Sequence, residues 1–183
     1  MATLRDIRQR IRSVQSTQKI TRAMKLVAAA KLRRAQQRII ESRPYAYKMA
    51  EILGSLALRA TPEHHPLLAR RETGRKQVAI ITGDKGLCGA FNSNVLRRSL
   101  EFIRQSDQVS VTLVVVGKKA RDFYRRRSWT VKSEMVGFFD RLAYSHAAEL
   151  SERLVRSYLA DEIDEVHLIY NEFRSVAVQR VAR

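Results

Sequence analysis

The sequence predicts an α/β protein in two parts: one long N-terminal α-helix, then a small domain with a mainly parallel sheet and helices on its faces. Three observations carry this. Residues 1–43 hold no Gly or Pro and are rich in Ala, Leu, Gln, Lys and Arg, which are strong helix formers. Residues 61–76 collect the breakers Pro62, Pro66 and Gly74 and read as a linker. Beyond them, short β-branched runs alternate with helical patterns, as βαβ units do.

The helix is expected to start at Thr3. Thr3 and Asp6 match a capping box, in which a hydroxyl accepts from one backbone N–H while the acid three positions on reaches back. At about 1.5 Å per residue, the stretch before Pro44 would be on the order of 60 Å long, more than the width of a small domain, so it must project. Leu4, Ile7, Ile11 and Val14 step by three and four, as do Ala28, Leu32, Ala35 and Ile39, which is a coiled-coil seam. Between them the seam continues through the polar Gln18, Thr21 and Lys25, while the apolar Ile20, Met24 and Val27 fall on a rotated face. The helix therefore packs on a partner helix at both ends, and residues 18–25 turn a different surface outward. Pro44 should kink or interrupt it, after which Met49, Ile52, Leu53 and Leu56 line one side as far as residue 58. The parts are then a long basic helix over 1–60 kinked near Pro44, a linker over 61–76 and an α/β domain over 77–183.

Within that domain, residues 78–82 form a first strand, followed by the glycine-spaced turn 83–89 and a helix over about 93–105. A second strand covers 109–116, a short helix 118–126, a longer helix 142–160 and a third strand 165–170. The alternating residues 175–181 read as a further, edge strand. A small Rossmann-like domain follows.

Charge separates the two parts. The 183 residues carry a formal +17, and residues 1–60 hold 14 Lys and Arg against Asp6, Glu41 and Glu51, a surplus of 11. A solvated charged face is the ordinary explanation of such residues, but solvated helices intersperse both signs through pairs four apart, and here there are few acids to pair with. A basic rod asks for an acidic partner: nucleic acid, an anionic lipid surface or a carboxylate-rich protein face. Cys88 is the only cysteine, which excludes an intramolecular disulfide and a Cys-based metal cluster and fits a reducing compartment. The start MATLRDIRQR lacks the apolar core of a signal peptide, and no stretch approaches the roughly 18 to 20 apolar residues that span a bilayer. Membrane association is expected only through a partner.

Candidate chemistry is sparse. Strand, glycine-rich turn and helix start together suggest an anion site, yet the glycines fall as G-x-x-G-x-x-G and Lys85 lies inside the turn, so both phosphate fingerprints fail. A structural turn or a subunit contact through Gly83, Lys85, Gly86, Cys88 and Gly89 is expected instead. His64 and His65 have no other ligand type beside them, and His146 and His167 stand singly as ordinary surface or core residues. The cluster Asp161, Glu162, Asp164 and Glu165 suits a solvated turn. Nothing argues for catalysis by this chain alone, or for a metal or cofactor.

The segments IRSVQSTQKITRAMKLVAAAKLRRAQ, SRPYA and ITGDKGLCGAFN, in this order and separation, resemble the gamma subunit of rotary ATP synthases. VVGKKARDFY and LIYNEF sit where that family has sheet elements, so the resemblance extends over essentially the whole chain. It implies a central rotor shaft. In that family the N-terminal helix pairs with a long C-terminal helix as an antiparallel coiled coil inside the hexamer of alpha and beta subunits. The α/β domain forms a foot beside the epsilon subunit and the membrane c-ring. Proton flow turns ring and shaft, and the asymmetric shaft drives each catalytic site through its states. By position, Met24 and Lys25 match the segment facing the acidic lever of the catalytic subunits, and Arg8, Arg12, Lys31, Arg33 and Arg34 extend that basic surface. Leu4, Ile7, Ile11, Val14, Leu32 and Ile39 become the seam for the second helix. The resemblance further implies a non-catalytic subunit, peripheral on the cytoplasmic face of a bacterial inner membrane, without a nucleic-acid partner.

Two departures from the family bear on this. Its members end with the second shaft helix, whereas this sequence stops at Arg183 just after a strand, so the expectation is a truncated or fragmentary subunit with its seam uncovered. Plastid members carry a redox-active cysteine pair in an insertion; Cys88 alone, without the insertion, excludes that switch and favours the bacterial type. The competing expectation is a basic-helix nucleic-acid-binding protein, since the arginine run at 5–12 and KLRRAQQR could track a phosphate backbone. Against it, Ile7, Ile11 and Val14 would face the groove or solvent.

Overall fold

A computed structural model of the chain describes residues 3–61, 65–69, 71, 74–106, 110–127, 129–175 and 178–183. It resolves into two compact units, Met1–Ala60 and Thr61–Arg183. Pro62, His64 and Val109, which the sequence assigned to linker and strand, lie outside the described residues.

The first unit is α1 (Leu4–Arg59). Its start is the expected capping box: the Asp6 N–H donates to the Thr3 hydroxyl at 3.3 Å and the Thr3 N–H donates to the Asp6 carboxylate at 3.0 Å. The Thr3 hydroxyl also donates to the Asp6 carboxylate at 2.7 Å, and this bond, with the one from the Thr3 N–H, holds the Asp6 carboxyl below its ordinary value. Of the kink or interruption expected at Pro44, there is no interruption: α1 runs through the proline. Proline removes one i to i−4 donor, and the acceptor it deprives is the carbonyl of the exposed Ile40. At 56 residues α1 is about 84 Å long. It ends where the Ala60 N–H bonds the Leu56 carbonyl at 2.8 Å and the backbone turns extended.

The second unit contains β1 (Lys76–Ile81), α2 (Phe91–Arg104), β2 (Val111–Val116), α3 (Lys118–Arg125), β3 (Val131–Met135), α4 (Tyr144–Leu159), β4 (Glu165–Phe173) and β5 (Gln179–Ala182). Strand order is β3-β2-β1-β4-β5. The first three pairings are parallel and β4–β5 is antiparallel, so the expected edge strand is present. β3 was not foreseen. Val131-Lys-Ser-Glu-Met135 buries only Met135, and a short polar strand at a sheet edge leaves almost no hydrophobic signature.

The core is lopsided. On one face Val78, Ile80, Leu113, Val115 and Ile169 pack against Val95, Phe102 and Ile103 of α2 and Ala120 and Tyr124 of α3. The register explains the layer, because Val78 pairs with Leu113, and Ile80 with both Val115 and Ile169. The other face is thinner: Ala79 and Val114 meet Leu154 and Leu150 of α4.

Tyr124 is fully buried, and its hydroxyl lies 2.7 Å from the Ser99 hydroxyl. Burial pushes its phenol above the ordinary value of 10.0. The folded state thus prefers the neutral phenol more strongly than the unfolded chain does. That stability is fully present below the unfolded pKa and is lost as pH rises through the folded one. As pH rises above about 10, denaturant midpoints should fall more steeply in the native chain than in Tyr124→Phe. That variant should itself lose about 1 kcal/mol at neutral pH through the missing hydrogen bond.

Candidate functional site

Two surfaces carry the residues singled out in the sequence. The first is α1, which contains no buried residue among the described ones. Arg8, Arg12, Met24, Lys25, Lys31, Arg33 and Arg34 are all exposed. So are the seam residues Leu4, Ile7, Ile11, Val14 and Leu32, while Ile39 is half-buried. Ile7 and Ile11 remain about half accessible, at 48% and 51%, so the seam is real apolar surface and not a buried packing stripe.

Helical geometry brings some of these residues together and separates others. Arg8 and Arg12 stand one turn apart on one side. Met24 and Lys31, seven positions apart, share another side with Ile20 and Val27. Lys25 instead lies about 100° from Met24, in line with the seam. A shallow groove along Ser13, Val14, Thr17, Gln18, Thr21, Arg22 and Lys25 marks the middle of that line. There the Thr17 hydroxyl donates to the Ser13 carbonyl at 3.0 Å and the Thr21 hydroxyl to the Thr17 carbonyl at 2.8 Å. Both hydroxyls are turned into their own backbone, which leaves the break in the seam less polar than its composition suggests.

The second surface is the 83–89 turn, at the carboxyl ends of β1 and β4, the crevice where open α/β sheets hold ligands. A cavity of about 460 Å³ opens there, lined by Thr82, Gly83, Lys85, Phe91, Phe139 and Tyr170 among others. The groups that could meet an anion are occupied. Lys85 pairs with Asp140 at 2.9 Å. Asp84 accepts from the Lys118 N–H at 2.8 Å and from the Gly137 N–H at 2.9 Å, and so supplies the cap that α3 lacks from its own residues. Asn92 accepts from the Gly83 N–H at 2.8 Å and donates to the Lys85 carbonyl at 3.1 Å and to the Cys88 sulfur at 3.1 Å. Asn171 donates to the Phe91 carbonyl at 2.7 Å. The turn is cross-braced, and at its apex Leu87 stands fully exposed with φ +56°. Gly86 has the Lys119 side chain beside it, and Gly89 occupies the left-handed region. Cys88 is exposed.

Sequence reasoning missed Asp84, Asn92, Asp140 and Asn171. Only Asp84, within a glycine-rich turn, gave a local signal; the others act through contacts that spacing does not encode. The acidic cluster also needs correction. Asp164 is not a solvated turn residue: its side chain is 1% exposed and pairs with Arg75 at 2.8 Å. Glu162 is held by Lys132, whose hydrogen bond keeps its carboxyl below the ordinary value. His146 accepts from the Ala143 N–H at 3.1 Å and stacks on Phe138, and His167 lies 2.9 Å from Glu165. No described helix is long and apolar enough to cross a membrane.

A family model described as ATP synthase matches residues 3–183. The ATP synthase gamma chain of Pelotomaculum thermopropionicum is 42% identical over 180 residues, covering 98% of this chain and 63% of the relative. That of Desulfitobacterium hafniense is 46% identical over 183 residues, covering 100% of this chain and 65% of the relative. The chain thus spans a little under two thirds of the length of these relatives. Among solved structures, the Tetrahymena thermophila mitochondrial ATP synthase central stalk and c-ring matches with TM-score 0.69 and 25% identity over 89% of this chain and 70% of that one. The Euglena gracilis mitochondrial ATP synthase rotor matches in fold, with TM-score 0.55 and 19% identity over 97% of this chain and 60% of that one.

Proposed function

From the premise that this chain belongs to the ATP synthase gamma-chain family, we propose that it supplies shaft and foot of a rotor coupling proton flow to ATP synthesis. The observation that carries this is α1: 56 residues with no buried side chain, strongly basic over residues 5–43, with apolar seams at 4–14 and 28–39. Such a helix can do little alone. It gains purpose inside a partner that covers the seam and meets the charge.

In this reading the chain is non-catalytic. Leu4, Ile7, Ile11, Val14, Leu32 and Ile39 pair with a second shaft helix, and Met24, Lys25, Arg8, Arg12, Lys31, Arg33 and Arg34 face the alpha and beta subunits. Long-range charge suits a shaft that passes several equivalent partners, because it does not lock as interdigitated contacts do. The braced 83–89 turn, with Gly83, Lys85, Gly86, Cys88 and Gly89, offers a rigid subunit contact, and the foot stands by the epsilon subunit and the c-ring. The location is peripheral, on the cytoplasmic face of a bacterial inner membrane, reached through those partners.

The test is reversal of Arg8, Lys25 and Lys31 to Glu in a reconstituted complex. The ratio of protons pumped to ATP hydrolysed should drop several-fold while the catalytic subunits still bind nucleotide. An unchanged ratio in the assembled triple variant would refute the assignment of these residues.

A further inference from the structure

The α/β unit has a second basic surface that the proposed function leaves unused. Across α2 and residues 118–127 there are nine Lys and Arg against Glu101 and Asp122. The acids are already engaged: Glu101 by Arg98 at 3.4 Å, Asp122 by Arg121 at 2.8 Å, and Glu134 of the neighbouring strand by Arg125 at 3.0 Å. Arg97, Arg104 and Arg127 form no ion pair with a carboxylate among the described residues.

These cations border an apolar slot. Leu96 and Leu100, four apart on α2, form one wall and Phe123 of α3 the other, around a groove of about 480 Å³ closed by Ser93, Arg97, Glu101 and Arg104. All three apolar side chains are only partly buried against the core. The Arg127 guanidinium lies 3.6 Å from the centre of the Phe123 ring and donates to the Phe123 carbonyl at 2.9 Å, which fixes both the ring and the rim.

We propose that this α2–α3 groove docks an acidic amphipathic segment of a partner protein. Leu-type anchors of the segment would fill the slot, and carboxylates flanking them would pair with Arg97, Arg104 and Arg127, as in helix-in-groove recognition. The shaped apolar floor selects this occupant over a flat polyanion, because a lipid headgroup layer has nothing to place between Leu100 and Phe123. The proposal stands on the groove itself and does not depend on the rotor assignment.

The probe is a synthetic helical peptide with Leu at positions one turn apart and flanking Glu, titrated into the full 183-residue chain carrying labelled Leu methyl groups. Saturable shifts at Leu96 and Leu100, lost when the peptide's Glu are replaced by Gln, are expected. Arg97→Glu with Arg104→Glu should weaken binding about tenfold, since two exposed charge contacts are reversed, with the thermal midpoint unchanged. Shifts confined to the leucines of α1 would overturn the proposal. So would unchanged affinity in the double variant, or binding to phosphatidylglycerol vesicles but not to the peptide.

Discussion

Gly117→Ala should cost about 3–5 kcal/mol, a large share of what holds a domain of this size together. Gly117 joins β2 to α3 with φ +92° and ψ 145°, a conformation that side chains rarely adopt. An added Cβ would lie 2.2 Å from the Thr82 carbonyl oxygen and 2.9 Å from its hydroxyl. Thr82 cannot withdraw. Its N–H donates to the Val116 carbonyl at 2.9 Å, and its hydroxyl donates to the same carbonyl at 3.2 Å while accepting from the Ala120 N–H at 2.9 Å. Moving it would unhook β1 from β2 and α3 from both. Gly54, where an added Cβ meets nothing within 4 Å in mid-helix, is the opposite case, and Gly54→Ala should gain up to about 1 kcal/mol. Trp129, the sole tryptophan, packs against the α/β core, so its fluorescence during urea unfolding reads that unit apart from α1. An unaltered Trp129 midpoint in Gly117→Ala would sink the account.

The contrast between these glycines shows what the sequence could and could not express. Gly117 sits between a strand pattern and a helix pattern, and its need for a missing Cβ arises from a carbonyl 35 positions earlier. The capping box of Thr3 and Asp6, by comparison, is a contact over three positions and was fully legible. So were β1, α2, α3, α4 and β4, because periodicity is local. β3 escaped because its pattern is polar and its neighbour in the sheet, β2, supplies the reason for its conformation.

The candidate site divides the same way. The one-sided charge and the seam of α1 are sums over a linear stretch and need no tertiary information. The bracing of the 83–89 turn links Asp84 to Lys118 and Gly137, and Lys85 to Asp140, over tens of residues. The sequence shows the glycines that permit the turn and hides the acids that fix it.

Asp164→Asn is the second large effect, on the order of 2–4 kcal/mol. The Asp164 carboxylate accepts from the Arg75 backbone N–H at 2.7 Å and from its guanidinium at 2.8 and 3.1 Å, almost wholly out of solvent. An amide there would turn donors toward donors. Arg75 also reaches the Asp161 carbonyl at 2.6 Å, and Arg71 donates to the carbonyls of Tyr158 and Ile163 at 2.6 and 2.8 Å while lying 4.0 Å over the Tyr158 ring. The Tyr158 hydroxyl in turn donates to the Ala69 carbonyl at 2.6 Å. The chain entering β1 is thus fastened to the turn between α4 and β4, and Asp164 is the buried member of that fastening. Asp161, three positions earlier, pairs with the same arginines, yet its side chain is 73% exposed. Asp161→Asn keeps a residue type that tolerates the φ of +58° there, so it should change stability by less than about 1 kcal/mol. Trp129 midpoints, with amide exchange at Arg75 and Lys76, measure both variants. Equal losses would mean that the ion pairs matter through charge alone, whereas a loss confined to Asp164→Asn assigns the effect to burial.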